Sequence, residues 1–246
     1  MPRRRRTKRR ETKRPEPHPR SGVAARAAVI GVSLSLGALL LVLAAPRLYA
    51  ELLLLPGNPM LDAIEHNETI TTGDLQRLRL SRERALAWTE SGRARLELAA
   101  ADILLAQREV GGGARYHALM EEALQALNDS LARAPADPYA WTRLAYARLA
   151  QGETAERIVP VLAMAIETAP VEATLVFPRL ELCLIEWPYF ARSNPALFED
   201  QVRLAWHQSH LRLVRLAQST GRMDVIRGAL GKADQAEFDK VASGTD

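Results

Sequence analysis

Residues 135–153 read PADPYAWTRLAYARLAQGE, and the order of Asp, Pro, Trp and Gly in this stretch decides the architecture. Asp137-Pro138 starts a helix. The carboxylate of Asp accepts from the free amides of the first turn, and Pro at the first helical position has no amide to satisfy. Gly152 ends that helix, because a residue without Cβ enters the left-handed conformation at little steric cost. Between these marks stand Trp141, Leu144 and Ala145, a bulky side chain followed at helical spacing by smaller ones. Such an order lets a second helix approach at the small residue while the indole fills the space beside it. Trp141 thus reads as a packing residue and not as a platform for a ligand.

The pattern continues in both directions. A helix over about 154–168 carries Ala165 and Ile166 and is closed by Pro170, and Pro160 within it predicts a kink. Upstream of Pro135, a helix over about 115–133 places Ala123, Leu124, Leu127, Ser130 and Leu131 on one face. Together these residues resemble the tetratricopeptide repeat (TPR), a pair of antiparallel helices of about 34 residues. Trp141, Leu144 and Ala145 match the signature of its first helix, Gly152 its turn, and Ala165 with Pro170 its close. Ala123, Leu124, Leu127 and Pro135 match the second helix of a preceding copy, in register. The chain departs from the pattern at Arg148, where an aromatic is usual, and at Arg157, where a packing Ala is usual. Pro170 arrives one residue late, and Pro178 falls inside the first helix of the following, degenerate copy. The resemblance implies an all-α solenoid of helical hairpins that works by protein–protein interaction.

Helical signals fill the remainder of the chain beyond LPGNP, a turn-rich stretch at residues 55–59. Thr71-x-x-Asp74 is capping-box-like and opens a helix from about Leu75, with an interruption near Ser91-Gly92. The glycines at 111–113 make a loop. Further helices fit about 172–187, 195–219 behind Asn194, 223–230 and 234–242, and nowhere does a strand alternation appear. Residues 74–230 are therefore the helical domain, 46–73 a linker and 231–246 a C-terminal tail.

Before them, Ala27 to Ala45 is nineteen residues without a charge. At about 1.5 Å per residue this run matches a hydrocarbon core of about 30 Å, so residues 23–45 read as one transmembrane helix. Residues 1–22 form a basic, disordered tail: within 1–20 there are ten Arg or Lys against Glu11 and Glu16. Basic flanks resist export, which puts the N-terminus in the cytoplasm and the helical domain in the periplasm of a single-pass inner-membrane protein. The chain's +4 net charge conceals this asymmetry, since the part beyond residue 20 is net acidic. That balance argues against nucleic acid as a partner of the folded part. The heavy use of Arg and Ala over Lys points to a GC-rich bacterial genome. Ala27, Gly31 and Ser35 lie four apart, a spacing at which two spans pack closely, and so point to a homo-oligomer through the span.

No chemistry emerges from the remaining polar residues. His207 and His210 lie three apart without the further ligands a zinc site needs, and GGGAR lacks the Lys-Ser/Thr ending of a phosphate loop. The one cysteine, Cys183, sits among apolar residues at helical spacing and reads as buried. No catalytic residue, cofactor or metal is expected, and the chain does not read as an enzyme. Trp88 and Trp206 read as packing residues, and Trp187-Pro188-Tyr189 as an aromatic helix end. The partner surface is sought on exposed residues of the repeat helices, such as Arg143 and Arg148.

The overall plan is also similar to single-span accessory proteins of exopolysaccharide biosynthesis in Gram-negative bacteria. LSRERALAWTESGR, DPYAWTRLAYARL, APVEATLVFPRLELCLIEWPYF and EDQVRLAW carry that similarity, over roughly residues 20–230. It implies a membrane-anchored scaffold with protein partners in the cell envelope, beside polysaccharide polymerisation or export. The other class to weigh is an assembly factor for cytochrome maturation or cell division. Direct glycan binding would call for more exposed aromatics than the repeat helices supply.

Overall fold

The computed structural model describes residues 21–66, 68–109 and 111–244, and every regular element among them is helical. Of the basic, disordered tail expected over residues 1–22, residues 1–20 lie outside the described residues, whereas Ser21 and Gly22 already belong to the first helix. The chain divides into two compact units, Met1–Pro46 and Arg47–Asp246.

Helix α1, Ser21–Leu54, begins in the first unit and runs through Pro46. It is long and apolar enough to cross a membrane: an 18-residue stretch has a mean hydropathy of 2.5, and none of that stretch is buried. The helix does not stop at residue 45, where the apolar run ends, so the expected linker over 46–73 is largely helical. Leu55–Gly57 makes a 3-10 turn, and α2, Asn58–Glu65, follows at once.

The second unit continues with α3 (Thr72–Leu86), α4 (Gly92–Ala106), α5 (Ala114–Arg133), α6 (Pro138–Ala150) and α7 (Ala155–Thr168). Then come α8 (Ala173–Ile185), the short α9 (Tyr189–Ser193), α10 (Pro195–Gln208), α11 (His210–Thr220), α12 (Met223–Ala229) and α13 (Lys232–Ser243). The helices pair in chain order: α4 packs on α5, α6 on α7 and α8 on α10, while α4, α6, α8 and α11 also touch one another in sequence. This is the all-α stack of helical hairpins expected from the sequence.

Local chemistry explains the boundaries. Asp74 and Thr71 exchange hydrogen bonds as a complete capping box at α3. Asp137 accepts from the amides of Tyr139 and Ala140 at 2.9 and 3.1 Å, opening α6 at Pro138. At the other end of α6 the amide of Gly152 reaches the Leu149 carbonyl and that of Glu153 the Arg148 carbonyl, with Gly152 at φ +72°. Those two bonds close the helix in a Schellman motif. Pro160 and Pro178 lie inside α7 and α8 without ending them.

The single helix expected over 195–219 is two. Ser209 is extended, at φ −166° and ψ 105°, and its hydroxyl accepts from the Arg212 amide to start α11. The expected tail beyond residue 230 contains α13, whose Phe238 is buried against Trp206 at 5.9 Å between ring centroids.

Ala123, Leu127, Leu144, Ala145, Ala165 and Ile166 are buried in the core, with Leu124 partly buried against it. Trp141 is also half-buried, and its indole N–H donates to the carbonyl of Pro135 at 2.7 Å. The Trp thereby ties its own helix to the Pro that closes the previous hairpin. Trp206 is buried as expected, but Trp88 is not: it stands 54% exposed on the turn after α3. The aromatic neighbour of Trp88 is Tyr49 of α1.

Candidate binding groove

The strongest concave feature runs along the helices that open each hairpin. On α4, Arg93, Leu96, Glu97 and Ala100 share one face, and they line a cavity of about 580 Å³ together with Tyr139 and Arg143 of α6. On α6, Tyr139, Arg143 and Tyr146 then line a second cavity of about 380 Å³, whose far wall is Leu175, Pro178 and Leu182 of α8. Pro178 and Glu181 pass on to a third, of about 320 Å³, walled by Arg212, Arg215 and Leu216 of α11. The shared residues make the three cavities neighbours, in a row along these helices, and the row is here called the groove. Their spacing is that of single helix faces, i, i+3, i+4 and i+7, so the groove follows from the repeat itself.

Its middle is apolar and held rigidly. Leu175 and Leu182 of the far wall are buried, and Ile185, which also lines the cavity, is exposed. The Tyr146 hydroxyl accepts from Gln107 Nε2 at 2.7 Å, pinning the ring between α4 and α6. The Tyr139 hydroxyl meets Thr174 Oγ1 at 2.9 Å, and Thr174 in turn donates to Glu172 at 2.9 Å. Hydrogen bonds from Thr174, then from Tyr139, hold the Glu172 carboxyl below its ordinary range. Pro178 has no amide to offer the Thr174 carbonyl, which leaves a backbone acceptor without its helical donor on the groove wall. The rim is ionic. Arg93 and Glu97 pair at 2.7 Å at one end, and at the other the Arg212 guanidinium lies 4.1 Å from the Phe177 ring centroid.

Of the two arginines expected on the partner surface, Arg143 lines the groove between its first and second cavities. Arg148 does not line it. Arg148 donates to the carbonyl of Arg157 at 2.9 Å, and Glu153 lies 3.9 Å from Arg148 and 3.5 Å from Arg157. The two departures from the repeat pattern thus meet each other at the α6–α7 turn, where ionic contact replaces an aromatic against an Ala. Ala27, Gly31 and Ser35 are exposed along one side of α1, and nothing lies within 4 Å of a Cβ built at Gly31.

Three charged positions escaped the sequence reading because their partners are distant along the chain. Arg82 is fully buried; it pairs with Glu97 at 2.9 Å and donates to the Leu54 carbonyl, Ser81 Oγ and Asn58 Oδ1. Asp102, also buried, meets Arg79 at 2.7 Å, and Arg79 reaches Glu83 and Glu122 as well. Burial pushes Asp102 up to about 6, against the pull of Arg79, and the like charges of Glu122 and Glu83 add to the rise. Arg179 of α8 is buried, donates to Thr142 of α6 and to the Ala169 carbonyl, and burial lowers its pKa. These groups hold helices together.

Cys183 is buried, and burial raises its thiol pKa well above the ordinary value. His210 stacks on Trp206 at 3.7 Å between ring centroids, and its Nδ1 lies 3.4 Å from Glu237. Among the described residues no three His, Cys, Asp or Glu gather where they could hold a metal ion.

No family model matches the chain, and no curated protein matches it significantly, so the likeness to exopolysaccharide accessory proteins finds no counterpart there. Among the solved structures that match is the crystal structure of a thermophilic TPR protein of Thermus thermophilus. The two are 20% identical, with 77% of this chain and 91% of that one covered and a TM-score of 0.49. At that level the likeness says nothing of what the groove holds.

Proposed function

We propose that this protein is a membrane-anchored scaffold of the bacterial cell envelope, in which α1 spans the inner membrane and the hairpin stack faces the periplasm. The groove along α4, α6, α8 and α11 holds an extended segment of a protein partner. One observation carries this reading: three cavities share wall residues along α4, α6, α8 and α11, with an apolar middle and arginines at both ends. An extended segment would lay apolar side chains over Leu175 and Leu182 and meet the arginines of the rim with its polar ones. The likeness of LSRERALAWTESGR and the segments after it supports placing the scaffold beside surface-polysaccharide synthesis or export.

Photo-crosslinking in the cell tests it. A crosslinking side chain at Leu149 or Ile185, at the groove, should capture one defined segment of an envelope protein, and the same side chain at Glu199, on α10, should not. Capture of glycan alone, with purified protein binding oligosaccharide, would overturn the scaffold. A deletion strain should lose surface polysaccharide; normal polysaccharide with lost cytochromes or faulty division would move the scaffold to another envelope assembly.

A further inference from the structure

The aromatic pair Tyr49 and Trp88 plays no part in the groove or the core. The rings meet edge to face, with centroids 4.8 Å apart and planes at 76°. Both are nevertheless open: Tyr49 is 47% exposed and Trp88 54%, and Leu48 and Leu52 beside them are more than half exposed. The supports of the pair are firm. The Trp88 amide donates to the Ala85 carbonyl at 3.0 Å, and the end of α1 is clamped where Arg82 donates to the Leu54 carbonyl at 2.7 Å. A rigid, outward-facing cluster of Trp, Tyr and Leu is a surface built to meet something apolar.

We propose that Tyr49 and Trp88 are a membrane-surface contact and rest in the headgroup layer of the bilayer that α1 enters. This rests on α1 being the membrane anchor. Tyr49 follows the end of the apolar run at Ala45 by four residues, or about 6 Å of helix. One headgroup layer is about 5–8 Å deep, which puts Tyr49, and Trp88 in contact with it, at that level. Trp and Tyr concentrate there because each ring has an apolar body and a polar tip, and each finds both environments at the interface. Exposed Arg47, two residues before Tyr49, and Arg84, one turn before Trp88, supply cations for anionic lipid headgroups. The contact seats the start of the helical stack on the membrane.

The full chain in phosphatidylcholine–phosphatidylglycerol vesicles tests this, with Trp88→Phe isolating the Trp88 emission by difference. Lipids brominated near the headgroup should quench that emission more than lipids brominated deep in the chains, and iodide should quench it less in vesicles than in detergent. Emission insensitive to bromine and open to iodide would overturn the contact. Emission shielded from iodide, insensitive to bromine and dependent on the protein-to-lipid ratio would give the patch to a second copy and overturn it too. Alkaline carbonate extraction of the same vesicles separates the two readings. A chain that is washed off loses the anchor and this contact together, whereas a chain that stays with Trp88 unquenched loses the contact alone.

Discussion

At the scale of single residues, the tightest constraint lies around Gly57. A Cβ there would stand 2.3 Å from both Arg82 Nη1 and Ser81 Oγ. Nη1 is the atom that donates to Leu54, so a side chain at Gly57 must displace the guanidinium whose bond fastens the end of α1 to α3. Gly57→Val should therefore lower the stability of the helical domain by about 2–3 kcal/mol, as overpacking beside a buried polar group does. Arg82→Met removes the cation itself and leaves Glu97 with exposed Arg93 as its ionic partner; a loss of about 3 kcal/mol is expected. The two changes strike the same contact, so in the double variant the losses should fall short of additive by urea unfolding. Full additivity would mean that Gly57 and Arg82 act separately. Neither residue is conspicuous in the sequence, where LPGNP reads as a turn and Arg82 as one surface arginine among many. The signal is the contact between them, and it spans twenty-five positions of chain.

At the scale of elements, α3, α4 and α5 are joined by Arg79 and the carboxylates around it, and this joint gives the fold a pH dependence. Asp102 titrates near 6 in the folded chain against an ordinary value of 3.8. The folded state thus binds that proton more tightly than the unfolded state, and its contribution to stability is complete below about pH 4 and lost as pH rises through 6. Asp74 acts in the opposite sense. Hydrogen bonds from Thr71 hold its carboxyl below 3.8, so its contribution is present above that value and disappears as pH falls through the lowered one. Between pH 4.5 and 7.5 the urea midpoint should fall, and Asp102→Asn should flatten that decline. A decline of the same size in the variant would assign it to other groups. The elements themselves were legible where local chemistry marks their ends: Asp137-Pro138, Gly152 and the Thr71–Asp74 box each act within a few residues. The break between α10 and α11 was not, because WHQSHLR has no Gly or Pro and Ser209 stops one helix while capping the next. The groove was half legible. Arg143 belongs to it and Arg148 does not, since which side of α6 meets α8 is set by the stacking of hairpins and not by α6 alone.

For the whole helical domain, stacking has a consequence at its ends. Each hairpin covers the next, so a terminal helix must carry one apolar face inward and a polar one outward. At the C-terminal end α13 does this. Phe238 is buried beside Trp206, while Asp239 on the outer side pairs with Arg227 at 2.9 Å. Trp206 belongs to α10, which packs on α8, so the covering of the groove-forming helix α8 depends at second hand on α13. Phe238→Ala should cost about 3–5 kcal/mol, since it leaves a cavity against a buried indole. In a stack of this kind the damage decays along the array instead of spreading evenly. Hydrogen exchange should accordingly show amides of α10 and α11 losing protection first and most, α8 less, and α4 to α7 least. Equal loss from α4 to α13 would show that the domain unfolds as one unit, and unchanged exchange in α10 and α11 would show that α13 is no cap. If the gradient holds, the groove gains a graded rigidity, firm at α4 and α6 and softer toward α11, so that Arg212 and Arg215 form its more yielding end.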